Sequence, residues 1–145
     1  MTRLNLALLA VLSAALPGCY VVTDDTGPSG PPAAVNYPPE VTAGEAGVYW
    51  DDYNQDYIWY FQASADDPNG VYDVVDCWAD VYDNYSGQLI DSFELYPTND
   101  AYTWYSDWLS ASTYLDPTYY DYSVDLTAYD AAGETATITV APVYQ

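Results

Sequence analysis

The sequence predicts an all-β, antiparallel sandwich of about seven strands that follows a cleaved leader and a disordered, Pro-rich tether. Three observations carry this expectation. From Glu40 to Gln145, apolar and polar residues alternate with a period of two, the pattern of half-buried strands. Clusters of Asp, Asn, Pro, Ser and Gly, the residues that turn a chain, separate the alternating runs. No stretch carries a convincing helical stripe, and only Ser110 to Tyr114 could hold a helical turn.

The first element, residues 1–18, reads as a processing signal. Arg3 precedes an apolar run from Leu4 to Leu16, broken by Asn5 and Ser13. That run is shorter than the about 20 residues a membrane-crossing helix needs. It ends in Leu16-Pro17-Gly18-Cys19, which resembles the lipobox of bacterial lipoproteins, although Pro17 stands where that family usually carries Ala, Ser or Thr. The resemblance implies cleavage before Cys19 and lipidation of its sulfur, so that several acyl chains tie the protein to a membrane. Tyr20 follows where an Asp would signal inner-membrane retention, so the expected location is the cell outer membrane or cell surface. The alternative is an ordinary secretory signal, cut after Ala15 or Gly18.

Residues 19–39 form the expected tether. Pro28, Pro31, Pro32, Pro38 and Pro39, with Gly27 and Gly30, oppose regular structure between Tyr20 and Pro39. Extended at about 3.1 Å per residue, this segment spans about 60 Å.

Residues 40–145 are the expected domain. Trp59, Phe61, Ala63 and Ala65 share one face of the first clear strand, and Asp66-Asp67-Pro68-Asn69-Gly70 turns the chain. Val75, Cys77, Ala79 and Val81 form the next buried face, with Asp76, Trp78, Asp80 and Tyr82 opposite. After the turn Asp83-Asn84-Tyr85-Ser86-Gly87, strands are expected from Gln88 to Leu95 and from Ala101 to Trp108, around Pro97-Thr98-Asn99-Asp100. Tyr120, Tyr122, Val124, Leu126 and Ala128 mark the clearest strand, Asp130-Ala131-Ala132-Gly133 turns it, and Thr135 to Val140 closes the domain. The turns are short, so all pairings are expected to be antiparallel. The stretch from Leu115 to Thr118 and from Tyr122 to Gly133 resembles the last strand pair of immunoglobulin-like modules, fibronectin type III included. Those modules place a Tyr near the start of that strand whose hydroxyl bonds back to the corner; Tyr120 or Tyr122 would serve.

Charge excludes more than any motif does. The chain has 22 acidic residues, a single basic one (Arg3) and no His, for a formal charge of −21. Cleavage of the leader removes Arg3 and leaves a body whose charged side chains are all carboxylates. Nucleic acid is excluded as a partner, because its binding draws on Lys and Arg. Nucleophilic catalysis with a His or Lys base, Schiff-base chemistry and His- or Cys-built zinc sites are absent for the same reason. The expectation is that the protein is not an enzyme; only two-carboxylate glycoside hydrolysis remains open. Self-repulsion is expected to raise many carboxylate pKa values and to make the fold respond to cations or salt. If Cys19 carries lipid, Cys77 is left without a partner and reads as a buried, inert thiol.

Calcium is the one cofactor the acids suggest. Asp52, Asn54 and Asp56 place oxygen ligands at alternating positions like the start of an EF-hand, which then fails at Tyr57, where Gly is needed, and at Ala63, where Glu is needed. Asp66, Asp67 and Asn69 resemble the calcium-binding loops of cadherin-like modules. Aromatic residues are the other anomaly, with eighteen Tyr and five Trp against two Phe. Trp78, Tyr82 and Tyr129 fall on faces shared with Asp, as on a surface that binds sugars or protein. The expected function is that of a lipid-anchored surface protein in envelope structure or adhesion, with a partner protein or glycan unidentified. The alternative is a carbohydrate-binding module assisted by calcium, and extreme acidity can also record a salty habitat.

Overall fold

A computed structural model describes residues 35–145; the leader, Cys19 and most of the tether lie outside the described residues. The alternating sequence resolves into nine strands: β1 (Glu40–Asp51), β2 (Asp56–Asp66), β3 (Val74–Asp83), β4 (Gln88–Glu94), β5 (Tyr96–Pro97), β6 (Thr103–Leu109), β7 (Tyr122–Asp130), β8 (Thr135–Val140) and β9 (Val143–Tyr144). Two single 3₁₀ turns, Val71–Asp73 and Ser110–Ser112, are the only helical pieces among the described residues. One sheet has the order β5-β6-β2-β1-β9 and the other β4-β3-β7-β8. The protein is thus an all-β sandwich, with seven strands of useful length and two of only two residues.

Period-two alternation places the core between the sheets. Trp59, Phe61 and Ala63 of β2 face Cys77, Ala79 and Val81 of β3 and Val124, Leu126 and Ala128 of β7, all sealed from solvent. Phe61 stacks on Phe93 with ring centroids 4.8 Å apart, and Trp59 meets Tyr122 edge-on at 5.9 Å. At Gly44, where β1 crosses this core, the ends of the Leu126 and Ile138 side chains occupy the space a Cβ would take and would have to shift to admit one.

Four local expectations are corrected. Val75 is exposed and Val74 buried, because a bulge between Val74 and Asp76 shifts the register against β7 and turns the strand by one residue. Not every pairing is antiparallel: β9 runs parallel to β1 at Gly47–Val143 and Val48–Tyr144. After β8 the chain keeps its direction while it changes sheets, and so meets β1 running the same way. β6 begins at Thr103 rather than Ala101, since the Asp100 carboxylate accepts from Tyr102 N and Thr103 Oγ1 and prolongs the turn. β7 begins at Tyr122 rather than Tyr120, because Asp116 holds a turn through Thr118 N and Tyr119 N. Of the two corner candidates it is Tyr122 that is buried and whose hydroxyl accepts from Asp116 N at 3.1 Å; Tyr120 is exposed.

The strands run between two poles. The chain enters at one pole, beside the β2–β3 connection and the β7–β8 turn. The β1–β2 turn, the β3–β4 turn and the β6–β7 connection occupy the other. Residues 35–39, assigned by composition to the tether, lie against the entry pole, where Pro39 is buried and Asn69 binds Tyr37 N (2.8 Å) and Val35 O (3.0 Å).

Candidate metal centre and aromatic surfaces

At the entry pole three carboxylates converge. Asp67 follows β2, Asp73 ends the 3₁₀ turn before β3, and Asp130 closes β7; one oxygen of each lies within 4.8 Å of the others, an arrangement that could hold a metal ion. Asp67 and Asp130 are buried, at 4% and 2% exposure, and Asp73 is half-buried. Asp130 is fixed by the turn it makes: Oδ1 accepts from Ala132 N (2.9 Å) and Glu134 N (2.7 Å), and Oδ2 accepts from Asn36 Nδ2 (2.6 Å). The Asn36 amide first, and these backbone N–H groups with it, hold the Asp130 carboxyl below its ordinary value. Asp67 Oδ1 accepts from Asn69 N at 2.7 Å, while Oδ2 is sealed from solvent and has no donor.

Of the residues that the sequence marks for calcium, only Asp67 belongs to this cluster. Asp66 is exposed and accepts from Asp67 N, and the Asn69 side chain is engaged by the entry segment. Asp52, Asn54 and Asp56 surround the β1–β2 turn at the far pole, each on a different partner. Asp52 accepts from Trp50 Nε1 (2.9 Å), Asn54 donates to Asp51 Oδ2 (2.7 Å), and Asp56 Oδ2 accepts from Ala111 N (3.0 Å). Asp73 and Asp130 escape sequence reasoning because they join Asp67 only through the loops of two β-connections far apart in the chain.

Trp78, Tyr82 and Tyr129 share the outer face of the second sheet. Trp78 lies opposite Glu94 and Thr127, Tyr82 opposite Leu89 and Ser123, and Tyr129 opposite Asp76 and Thr135. Trp78 donates from Nε1 to Asp76 Oδ2 at 2.8 Å and borders a groove of about 300 Å³ with Phe93, Tyr96, Trp108 and Tyr114; Asp91, Ser92 and Glu94 supply its polar groups. Hydroxyls serve the carboxylates of this sheet face: Ser92 donates to Asp80, and Thr139 to Asp125 at 2.5 Å. Asp80 and Asp125 stand directly opposite each other, and Tyr82 beside them is raised above its ordinary pKa by burial and then by both charges.

The most exposed aromatic side chains are tyrosines of the connections; Tyr72 (88%) lies on the 3₁₀ turn at the entry pole, and four others belong to connections of the opposite pole. Tyr53 (93% exposed) tips the β1–β2 turn, Tyr85 (90%) the β3–β4 turn, and Tyr114 (85%) and Tyr120 (72%) the β6–β7 connection. Tyr53, Tyr85 and Tyr114 fall outside the alternation that marks faces, and Tyr120, expected within the alternating strand, lies in the connection before it.

Local hydrogen bonds outweigh the expected upward shift at particular carboxylates. Asp83, which accepts from the Tyr119 hydroxyl (2.6 Å) and from Ser86, and Asp116, which accepts from Thr118 N and Oγ1, are both held below the ordinary value, as Asp130 is. Cys77 is free and buried, and burial pushes its thiol up to about 12. Among the described residues no helix is long and apolar enough to cross a membrane. Comparison of the chain with protein-family models, with curated proteins and with solved structures gave no match.

Proposed function

We propose that the protein is a non-catalytic, lipid-anchored protein of the outer membrane or cell surface whose immunoglobulin-like sandwich serves envelope structure or adhesion. The observation that carries the adhesive reading is the set of exposed tyrosines, Tyr53, Tyr85, Tyr114 and Tyr120, on three connections at the pole opposite chain entry. Tyrosine offers a large, rigid contact area at low entropic cost, and loops held by a rigid sandwich are where binding groups concentrate. The pairing order β1-β2-β6-β5 facing β4-β3-β7-β8, with Tyr122 bonded back to its corner, supports the immunoglobulin-like assignment. The Leu16-Pro17-Gly18-Cys19 segment supports the anchor, and the missing Lys, His and body Arg support a binding role over catalysis.

Replacing Tyr53, Tyr85 and Tyr114 together by Ala should abolish the adhesion of cells displaying the protein and leave its Tm unchanged; Tyr120, whose ring packs on Tyr144 at 4.5 Å, is left in place. Undiminished adhesion would overturn the reading. The intact mass of the membrane-extracted protein tests the anchor: it should correspond to a chain that begins at Cys19 with acyl groups attached.

A second reading, sugar binding, is favoured by the groove beside Trp78, where flat aromatics stand among Asp91, Ser92 and Glu94. Calcium suits it, since hard oxygen donors are what this surface offers. A glycan array run with and without calcium separates the two: only sugar binding predicts discrete, saturable hits that Trp78→Ala removes.

A further inference from the structure

Among the described residues four buried polar side-chain atoms lack a hydrogen-bond partner, and Asp67 Oδ2 is the one that belongs to an acidic group; the others are Trp59 Nε1, Trp104 Nε1 and Ser106 Oγ. A buried carboxylate oxygen without a donor is costly, and natural folds answer it with a partner charge or a coordinated metal. Neither Lys, Arg nor His exists anywhere in the sequence after Arg3. The carboxylate meets instead two more carboxylates, Asp73 and Asp130, within 4.8 Å. Two buried acids and a third half-buried one, gathered with no basic side chain to offset them, leave a bound cation as the remaining source of positive charge. The donor set selects among cations. Three carboxylates at a connection and a strand end suit calcium, which accepts about six to eight oxygens in a flexible geometry, better than magnesium, which demands a near-ideal octahedron and gives up its waters reluctantly.

We infer that Asp67, Asp73 and Asp130 form a calcium site that pins the entry segment to the sandwich. Both side chains that hold this segment are fastened to the ligands. Asn69, whose N–H binds Asp67 Oδ1, grips Tyr37 N and Val35 O, and Asn36 donates to Asp130 Oδ2 and to Glu134 Oε2 (2.8 Å). Calcium drawn between the three carboxylates therefore orders the β2–β3 loop, the β7–β8 turn and residues 35–37 together. The site lies at the pole opposite Tyr53, Tyr85, Tyr114 and Tyr120, so its test stands apart from theirs.

The test uses the purified full chain in detergent at fixed ionic strength, melted in EDTA and against increasing calcium chloride or magnesium chloride. Calcium should raise the Tm saturably, by about 5 °C or more, with half-saturation below about 1 mM and magnesium much weaker. Asp73→Asn should abolish the calcium response and, because it removes one of three repelling charges, should raise the Tm in EDTA. Asp52→Asn, at the other pole, should keep the full response. Hydrogen exchange of the Tyr37 amide should slow in calcium for the unaltered chain and for Asp52→Asn, and not for Asp73→Asn. An unsaturable response, an equal one with magnesium, or one that Asp73→Asn retains would mean diffuse screening and overturn the site. A lower Tm for Asp73→Asn in EDTA, or a Tyr37 amide indifferent to calcium, would overturn it as well.

Discussion

Tyr122→Phe isolates one hydroxyl at the junction of the two sheets. The ring stays, so its edge contacts with Trp59 at 5.9 Å and Tyr119 at 4.8 Å persist, and the core keeps its volume. What disappears is the acceptor for Asp116 N, a part-buried bond of 3.1 Å that ties the β6–β7 connection to the first residue of β7. An intramolecular hydrogen bond is worth about 1 kcal/mol net, and a donor left without an acceptor adds a desolvation cost, so the loss should be about 1–2 kcal/mol. For a domain of this size that is about 4–8 °C in Tm. Thermal unfolding followed by circular dichroism measures it, with Tyr120→Phe as the internal control. Tyr120 is exposed, and its hydroxyl removal should cost nothing measurable. Equal destabilisation by Tyr120→Phe would show that the Tyr122 hydroxyl does not hold the corner.

Further outcomes follow from burial and charge. Asn36→Ala should let the Asp130 carboxyl rise toward its ordinary value. A lowered carboxyl contributes stability that is present above the unfolded pKa and lost as pH falls through the folded one, so urea midpoints should differ at pH 7 and converge in strong acid. At the alkaline end Tyr105 and Tyr144, raised first by burial, and Tyr119, raised first by its bond to Asp83, reach about 12. Their contribution is whole below the unfolded tyrosine value of about 10 and is lost as pH climbs to about 12, so tyrosinate absorbance should lag and then jump with cooperative unfolding in that window. Cys77 should ignore a thiol reagent in the native protein and react fully in guanidinium; native reactivity would contradict its burial. Phe61→Ala, which empties the stack on Phe93, should cost about 3–5 kcal/mol in equilibrium urea unfolding.

Alternation made the core faces of β2, β3 and β7 legible, since a strand has one inward parity and Trp59, Phe61, Ala63, Cys77, Ala79, Val81, Val124 and Leu126 keep it. It misplaced Val75 because a bulge changes parity without any change of composition. The strand ends at Thr103 and Tyr122 are set by side chains of Asp100 and Asp116 that compete for backbone N–H groups, a choice that period-two reasoning does not see. β9 was illegible for another reason: two residues carry no period, and their pairing with β1 exists only once the sheets have packed. At the acidic cluster, the Asp67-Pro68-Asn69-Gly70 turn flagged one member, while Asp73 and Asp130 arrive through topology.

The short reach of β9 bears on how copies of this protein treat one another. It occupies β1 only at Gly47 and Val48, so the earlier part of β1 presents an open hydrogen-bonding rim of the kind onto which another sheet could grow. Two features discourage that growth. A bulge between Val41 and Ala43 breaks the rim's regularity, and Glu40 and Glu45 stand along it. A second copy docking there would bring its own pair of glutamates, and the sequence after Arg3 holds no basic side chain to offset them. The sandwich thus carries in its one-signed charge a standing instruction for copies to stay apart wherever they are crowded together.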